Sequence, residues 1–135
     1  MNSGFFKSIF CSVFLLIFTY PVFAASWELV DYTDEMKYYV NTGTIEKSNN
    51  KVKVWVMLDF KHPQKGDNRS WYRSRKSLTV FDCKTHSMEF LSIADFSGKM
   101  GKGKNVNLSN LTKNSEKYYV VPDSVSESGL KMVCS

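Results

Sequence analysis

Alternation of apolar and polar residues dominates the chain after its first 25 residues, and it predicts strands. The clearest case is the segment Lys51–Phe60, where apolar side chains recur at every second position. These positions are Val52, Val54, Val56, Leu58 and Phe60. Since side chains of a strand point alternately to two faces, these five residues form one apolar face of the strand. Trp55 and Met57 lie on the other face, which is therefore expected to be partly covered as well.

Shorter segments with the same pattern follow along the chain and are predicted to be strands. They are Ser26–Tyr32, Lys37–Asn41, Trp71–Cys83, Met88–Phe96 and Lys117–Val121. Residues typical of turns separate them, with Ser48-Asn49-Asn50 before the long strand and a hairpin turn expected at residues 84–87.

The end of the chain has a different pattern, which predicts a short helix. Pro122-Asp123-Ser124 is a helix-start signal, and Ser124 with Glu127 three residues later fits a capping box. Three apolar residues then fall roughly on one helical face: Val125, Leu130 and Val133. Gly129 weakens the helix. The predicted fold class is therefore mainly β (α+β), a small antiparallel β-sheet with one C-terminal helix packed on it.

Residues 1–24 have the three parts of a secretory signal peptide. Lys7 is the only charge before an apolar run of ten residues, Ile9–Phe18, and small residues precede a cleavage site between Ala24 and Ala25. A membrane span needs about 20 apolar residues, so this run is too short to be one. The sequence predicts an exported protein of the periplasm, cell surface or medium, with one domain over residues 25–135 and no transmembrane span after cleavage.

Removal of the signal peptide changes the cysteine count and the charge. The whole chain has three cysteines and a formal charge of +5; cleavage removes Cys11 and Lys7, which leaves two cysteines and +4. Two cysteines in an exported chain predict a disulfide between Cys83 and Cys134, which would tie the helix to a strand. Two distant cysteines and two scattered histidines are too few for a metal site, and no cofactor is expected.

A glycine- and lysine-rich segment imitates a phosphate-binding loop. Residues 98–104 fit the spacing G-x-x-x-x-G-K, but Asn105 stands where magnesium binding needs Ser or Thr. No helix is expected after it, so no helix N-terminus is available to a phosphate. The segment is interpreted as a loop between strands.

Few residues suggest catalysis. His62 stands next to Pro63 in an expected loop, and His86 lies in the expected hairpin turn. Neither has neighbours that suggest a catalytic triad, and a disulfide would leave no thiol nucleophile. The protein is predicted not to be an enzyme.

A basic segment with aromatic residues is the main candidate for binding. Residues 61–76 hold six cations and one acid, a local charge of +5. The predicted binding residues are Lys61, Lys65, Arg69, Trp71, Tyr72, Arg73, Arg75 and Lys76. Cations beside aromatic rings suit anionic glycans, lipid head groups or acidic protein surfaces. The alternative is a solvated hairpin tip whose charges prevent aggregation at a sheet edge. Nucleic acid is not expected as a partner because the protein is exported.

The order of short motifs over nearly the whole mature chain resembles the surface-adhesin protein E family of bacterial exported proteins. The motifs are Trp27, Tyr39-Val40 with Thr44-Ile45, Val54-Trp55-Val56 running into Asp59-Phe60, Ser74-Arg75-Lys76 leading to Phe81-Asp82-Cys83, Phe96-Ser97-Gly98 with Gly101 and Gly103, Pro122-Asp123-Ser124, and Val133-Cys134. The resemblance implies an antiparallel sheet with a C-terminal helix held by a disulfide.

The resemblance also implies a cell-surface or periplasmic location and adhesion to host extracellular-matrix or serum proteins. The best-known member is an outer-membrane lipoprotein, whereas Cys11 lies inside the apolar run and does not form a lipoprotein signal here. The alternative function is a periplasmic inhibitor or envelope-stress protein with no adhesive role. A charge of +4 argues against inhibition of a basic target.

Overall fold

The computed structural model describes residues 26–111 and 115–135, in which eight strands form one antiparallel sheet with an α-helix packed against it. The strands are β1 Trp27–Tyr32, β2 Met36–Asn41, β3 Glu46–Ser48, β4 Lys51–Lys65, β5 Trp71–Asp82, β6 Ser87–Phe96, β7 Asn105–Asn110 and β8 Lys117–Tyr119, and the helix is α1 Val125–Cys134. This arrangement confirms the predicted fold class. The predicted signal peptide, residues 1–24, lies outside the described residues.

The sheet has the strand order β1-β2-β4-β5-β6-β7, with β3 paired to β4 and β8 paired to β6. Neighbouring strands along this path are antiparallel, and the long β4–β5 hairpin forms its centre. In the part of the chain that the structure describes, no helix is long and apolar enough to cross a membrane.

The core lies between α1 and the apolar face of β4 that the alternation predicts. Val52, Val54 and Val56 are buried there, and Phe81 of β5 lies opposite Val52. From the helix, Leu130 and Val133 complete the same cluster. Burial of such side chains is the main stabilising contribution in a domain of this size.

The opposite face of β4 is covered in part by the loop 97–104. Met57 is fully buried, and the backbone N–H of Met100 donates to Oδ1 of Asp59 at 2.8 Å. Ser74 of β5 also holds this loop, because its hydroxyl donates to the carbonyl of Gly98 and accepts from the N–H of Gly101. The glycine- and lysine-rich segment is thus a loop between strands, as the sequence predicts, but it is fastened to the sheet and not a mobile loop.

The helix begins where the capping box predicts. The N–H of Glu127 donates to the Ser124 hydroxyl at 3.3 Å, and the Glu127 carboxylate accepts from the N–H of Asp123. The helix ends at Cys134, which forms the predicted disulfide with Cys83 just after β5, with the two Cα atoms 5.6 Å apart. A disulfide across 51 residues contributes about 4 kcal/mol in the chain-entropy model.

Strand β4 is longer than predicted, since it continues through Pro63 to Lys65 instead of ending in a loop. The β4–β5 register shifts between Asp59 and Gln64, and a proline is tolerated in such a bulge because it has no N–H to pair. Strands β3 and β7 are short and polar, and the hydrophobic pattern did not predict them.

Candidate binding surface

The basic segment is divided by the β4–β5 hairpin, whose tip is residues 66–70. Lys65 lies opposite Trp71, and Gly66 and Ser70 close the tip through a backbone hydrogen bond of 2.9 Å. Arg69 takes a positive φ of 63° inside this turn. Asn68 then fastens the tip to β7, because its side-chain amide donates to the carbonyl of Val106 at 2.9 Å. The tip is therefore held at a fixed position on the sheet.

Three of the predicted cations are exposed: Lys65 and Arg69 at the tip, and Lys61 farther along β4, where its N–H donates to the carbonyl of Glu35. Trp71 is 60% exposed, and Nζ of Lys65 lies 5.9 Å from the centre of its ring, a cation–π contact. None of the three cations takes part in an ion pair among residues 26–111 and 115–135. We call Lys61, Lys65, Arg69 and Trp71 the tip surface.

Arg73 is turned toward the protein and braces the hairpin. Its Nη2 donates to the carbonyl of Lys61 at 3.0 Å, and its Nε is buried without a hydrogen-bond partner. Much of this guanidinium is thus occupied by its own hairpin.

Arg75 forms a paired, partly buried charge inside the fold. Its guanidinium donates to both carboxylate oxygens of Asp95, at 2.6 and 3.0 Å, and the Asp95 side chain is fully buried. The hydrogen bond to Asp95 raises the pKa of Arg75. Tyr72 lies 5.0 Å from this guanidinium and is itself buried, which raises its pKa. Tyr72 is therefore buried, and the guanidinium of Arg75, whose side chain is 31% exposed, is already paired inside the fold.

Lys76 lies on the sheet face opposite to Arg75, since neighbouring strand residues point to opposite faces. Its Nζ is 5.5 Å from the ring centre of Trp27 and 5.2 Å from that of Phe96. Gly101 has a positive φ of 68°, and a Cβ on it would lie 2.2 Å from Cε of Lys76. A glycine is required there for the loop to close beside the lysine.

The eight predicted residues thus occupy four places: the tip surface, the hairpin backbone that Arg73 braces, the sheet around Arg75 and Tyr72, and the face that bears Lys76. At this last place sequence reasoning missed a cleft of about 240 Å³. It is lined by Trp27, Asn41, Trp55 and Lys76. The alternation of apolar and polar residues gave one indication of this cleft, because it places Trp55 on the face of β4 opposite to Val54 and Val56.

The two histidines and the cleft beside the disulfide are the places where the described residues could carry out chemistry. His62 and His86 are both exposed. A cleft of about 360 Å³ beside the disulfide has His86, Glu127 and Lys131 in its wall. Within the described ranges, no three His, Cys, Asp or Glu residues lie close enough together to hold a metal ion.

Comparison with family models gives a match over residues 27–135 to the family described as Surface-adhesin protein E. The chain belongs to the surface-adhesin protein E family. This membership confirms the resemblance that the order of the motifs indicates. A search of curated proteins finds no match.

Solved structures of protein E from Haemophilus influenzae have the same fold. Crystal form II of that protein superposes with a TM-score of 0.57 at 13% identity, covering 78% of this chain and 91% of the other. Protein E from non-typeable Haemophilus influenzae gives a TM-score of 0.56 at 13% identity, covering 84% of this chain and 79% of the other. At this identity the match shows a shared fold, so the roles of side chains in this surface-adhesin protein E family member must be argued from its own residues.

Proposed function

We propose that this protein is an exported, non-catalytic adhesin that contacts an anionic host partner through the tip surface. The partner class is an extracellular-matrix or serum protein with an acidic surface or an attached anionic glycan. Membership of the surface-adhesin protein E family supports adhesion. The exposed charges of the tip surface would attract the anionic partner.

The single observation that carries this proposal is that Lys65 and Arg69 beside the exposed Trp71, and Lys61 along the same strand, form no ion pair among the described residues. Unpaired cations at a surface attract an anionic partner over a distance of roughly 10 Å at moderate salt. A tryptophan within the same patch supplies contact area, and tryptophan and arginine are the residues most often dominant in protein interfaces.

The tip can act as a unit because its backbone is fixed before binding. Hydrogen bonds close the turn and tie Asn68 to β7. A fixed surface loses less conformational entropy on binding than a free loop does. The proposal therefore does not require the protein to rearrange.

The test is retention on immobilised heparin and on immobilised extracellular-matrix protein. Lys65→Glu/Arg69→Glu reverses two charges at the tip, whereas Lys51→Glu/Lys84→Glu makes the same charge change at the other end of the hairpin, also at exposed positions. We expect the tip variant to elute at clearly lower salt and the control variant to behave like wild type. Equal loss in both variants would mean that only net charge matters and would reject the tip surface. Arg75 is unsuitable for such a test, because it pairs with the buried Asp95.

Location is tested separately by adding protease to intact cells. Cleavage of the protein under conditions where a periplasmic marker survives supports adhesion. Protection from the protease would favour the alternative of a periplasmic inhibitor or envelope-stress protein.

A further inference from the structure

We infer that the cleft lined by Trp27, Asn41, Trp55 and Lys76 is a binding site for an acidic pyranose, a sugar ring carrying a carboxylate or sulfate. This site lies apart from the tip surface and on the face of the sheet opposite to α1. The inference therefore does not depend on the proposed role of the tip.

The strand register builds two aromatic walls around a polar floor. Trp27 of β1 lies opposite Asn41 of β2. The pairing of β2 with β4 ends at Val40 opposite Val56, and Trp55, which precedes Val56, lines the cleft beside Asn41. Strands two apart in a sheet are separated by about 9.5 Å. A ring held between two indoles needs about 7–8 Å, twice the optimal carbon–carbon contact distance. A pyranose chair is slightly thicker than a planar ring, so the spacing of β1 and β4 suits one sugar ring between the two tryptophans.

Asn41 is a fixed hydrogen-bond donor at the floor of this cleft. Its side chain is only 6% exposed, and its Oδ1 accepts from the N–H of Gly43 at 3.1 Å. Because the oxygen faces this backbone donor, the assignment of oxygen and nitrogen in the amide is determined. The NH₂ group has no hydrogen-bond partner among the described residues and is left for a ligand. Thr44 holds the same corner, since its hydroxyl donates to the Asn41 carbonyl and accepts from the N–H of Trp55.

The polar groups that remain unpaired in the lining are donors. They are the Asn41 amide NH₂, the Lys76 ammonium and the indole N–H groups of both tryptophans, none of which has a hydrogen-bond partner within the described ranges. Such a lining selects a ligand rich in acceptor oxygens, as a sugar is. The ligand is therefore expected to stack its ring on the indoles and to present oxygens to Asn41 and Lys76.

Lys76 adds the preference for negative charge. No carboxylate of the described residues forms an ion pair with it, and the rings of Trp27 and Phe96 hold its ammonium in place. A cation held beside an aromatic wall favours a pyranose whose substituent is anionic over a neutral one. The volume of about 240 Å³ equals roughly eight waters, which is the size of one sugar ring.

The experiment measures binding of a hyaluronan tetrasaccharide, which contains uronic acids, and of neutral chitotetraose by NMR titration. We expect the hyaluronan fragment to shift the indole N–H signals of Trp27 and Trp55 and the Asn41 side-chain signal, and to bind more tightly than chitotetraose. Trp55→Ala should weaken binding about 5- to 100-fold, as loss of one stacking surface does for flat rings. Tyr119→Ala is the matched control and should bind like wild type, because Tyr119 is 75% exposed on β8 and belongs neither to the cleft nor to the tip surface.

A second variant tests the charge preference. Lys76→Met keeps an aliphatic chain beside Trp27 and removes the ammonium, so it should weaken binding of the acidic sugar more than binding of chitotetraose. Circular dichroism melting curves establish that each variant is folded. The inference is overturned if about 10 mM tetrasaccharide gives no shifts, if the shifts fall on the tip residues, or if folded Trp55→Ala binds like wild type. Loss of heparin retention in the tip variants with intact tetrasaccharide binding would separate the two sites.

Discussion

Gly129 of α1 lies directly against the ring of Tyr38 on β2. A Cβ at residue 129 would be 2.8 Å from both Cε1 and Oη of Tyr38, closer than real Cβ contacts come. Tyr38 is only 4% exposed, and burial raises its pKa. The glycine that weakens the isolated helix is therefore what lets the helix approach the sheet.

Gly129→Ala is expected to destabilise the protein although alanine is the better helix former. The gain in helix propensity is about 1 kcal/mol, whereas overpacking costs typically about 1–3 kcal/mol, so we expect a net loss of up to about 2 kcal/mol. Urea denaturation measures the change. In a Tyr38→Phe background the loss should shrink, because the contact with Oη is removed; a more stable Gly129→Ala protein would contradict the packing explanation.

Arg75→Met should destabilise the protein strongly, because it leaves the buried Asp95 carboxylate without its partner. Removal of one member of a buried ion pair costs about 3–5 kcal/mol. Replacement of both, Arg75→Met/Asp95→Asn, should recover part of this loss, since no unpaired charge remains. The melting temperatures of the wild type, the single variant and the double variant test this expectation. A double variant no more stable than the single one would show that the pair itself is not the cause.

Thr79→Val is expected to leave the free energy of unfolding unchanged or to raise it by up to about 1 kcal/mol. The Thr79 side chain is 1% exposed, and its hydroxyl is buried without a hydrogen-bond partner. Valine has nearly the same shape and no polar atom to bury. Ser74→Ala is the contrasting variant, because its hydroxyl has two partners and its loss should cost about 1–3 kcal/mol. A similar loss in both variants would contradict this distinction.

Acidification should weaken the attachment of the helix. A hydrogen bond from the Ser128 hydroxyl is the main cause that lowers the pKa of Asp31. The pKa of Glu127 is lowered mainly by its hydrogen bond with Lys131 and then by the hydrogen bond from the N–H of Asp123. A carboxylate whose pKa is lower in the folded state stabilises the fold above its unfolded pKa, which is 3.8 for Asp31 and 4.5 for Glu127. This stability is lost as the pH falls through the folded pKa.

The melting temperature at pH 7 and pH 3 tests this expectation. Asp31→Asn/Glu127→Gln should lose less stability on acidification than wild type, because two of the groups that must be protonated are gone. An identical drop in both proteins would place the acid sensitivity elsewhere.

Local pattern was enough to predict most of the fold. Alternation at Val52, Val54 and Val56 predicted the central strand and its buried face, and Ser124 with Glu127 predicted where the helix begins. Strand β7 was missed because its residues are mostly polar, and it exists because β6 needs a neighbour along that edge. The extension of β4 beyond Pro63 was missed because a proline normally ends pairing, whereas here it lies in a bulge.

The candidate sites were less predictable, because they depend on contacts between distant segments. Arg75 and Lys76 look alike in the sequence, yet one pairs with Asp95 twenty residues away and the other lies between the rings of Trp27 and Phe96. The sharing of one cleft by Trp27 and Trp55 follows from the register of three strands. No short motif encodes such a register, so only the folded sheet reveals it.

The disulfide has a mechanical consequence for the chain when it is pulled from its two ends. When the chain is stretched from Trp27 and Ser135, the 51-residue segment closed by Cys83 and Cys134 cannot lengthen. Since an extended residue spans about 3.4 Å, the disulfide prevents roughly 170 Å of chain from extending under force. The force then acts mainly on β1 to β5, while β6, β7, β8 and α1 stay outside the loaded path.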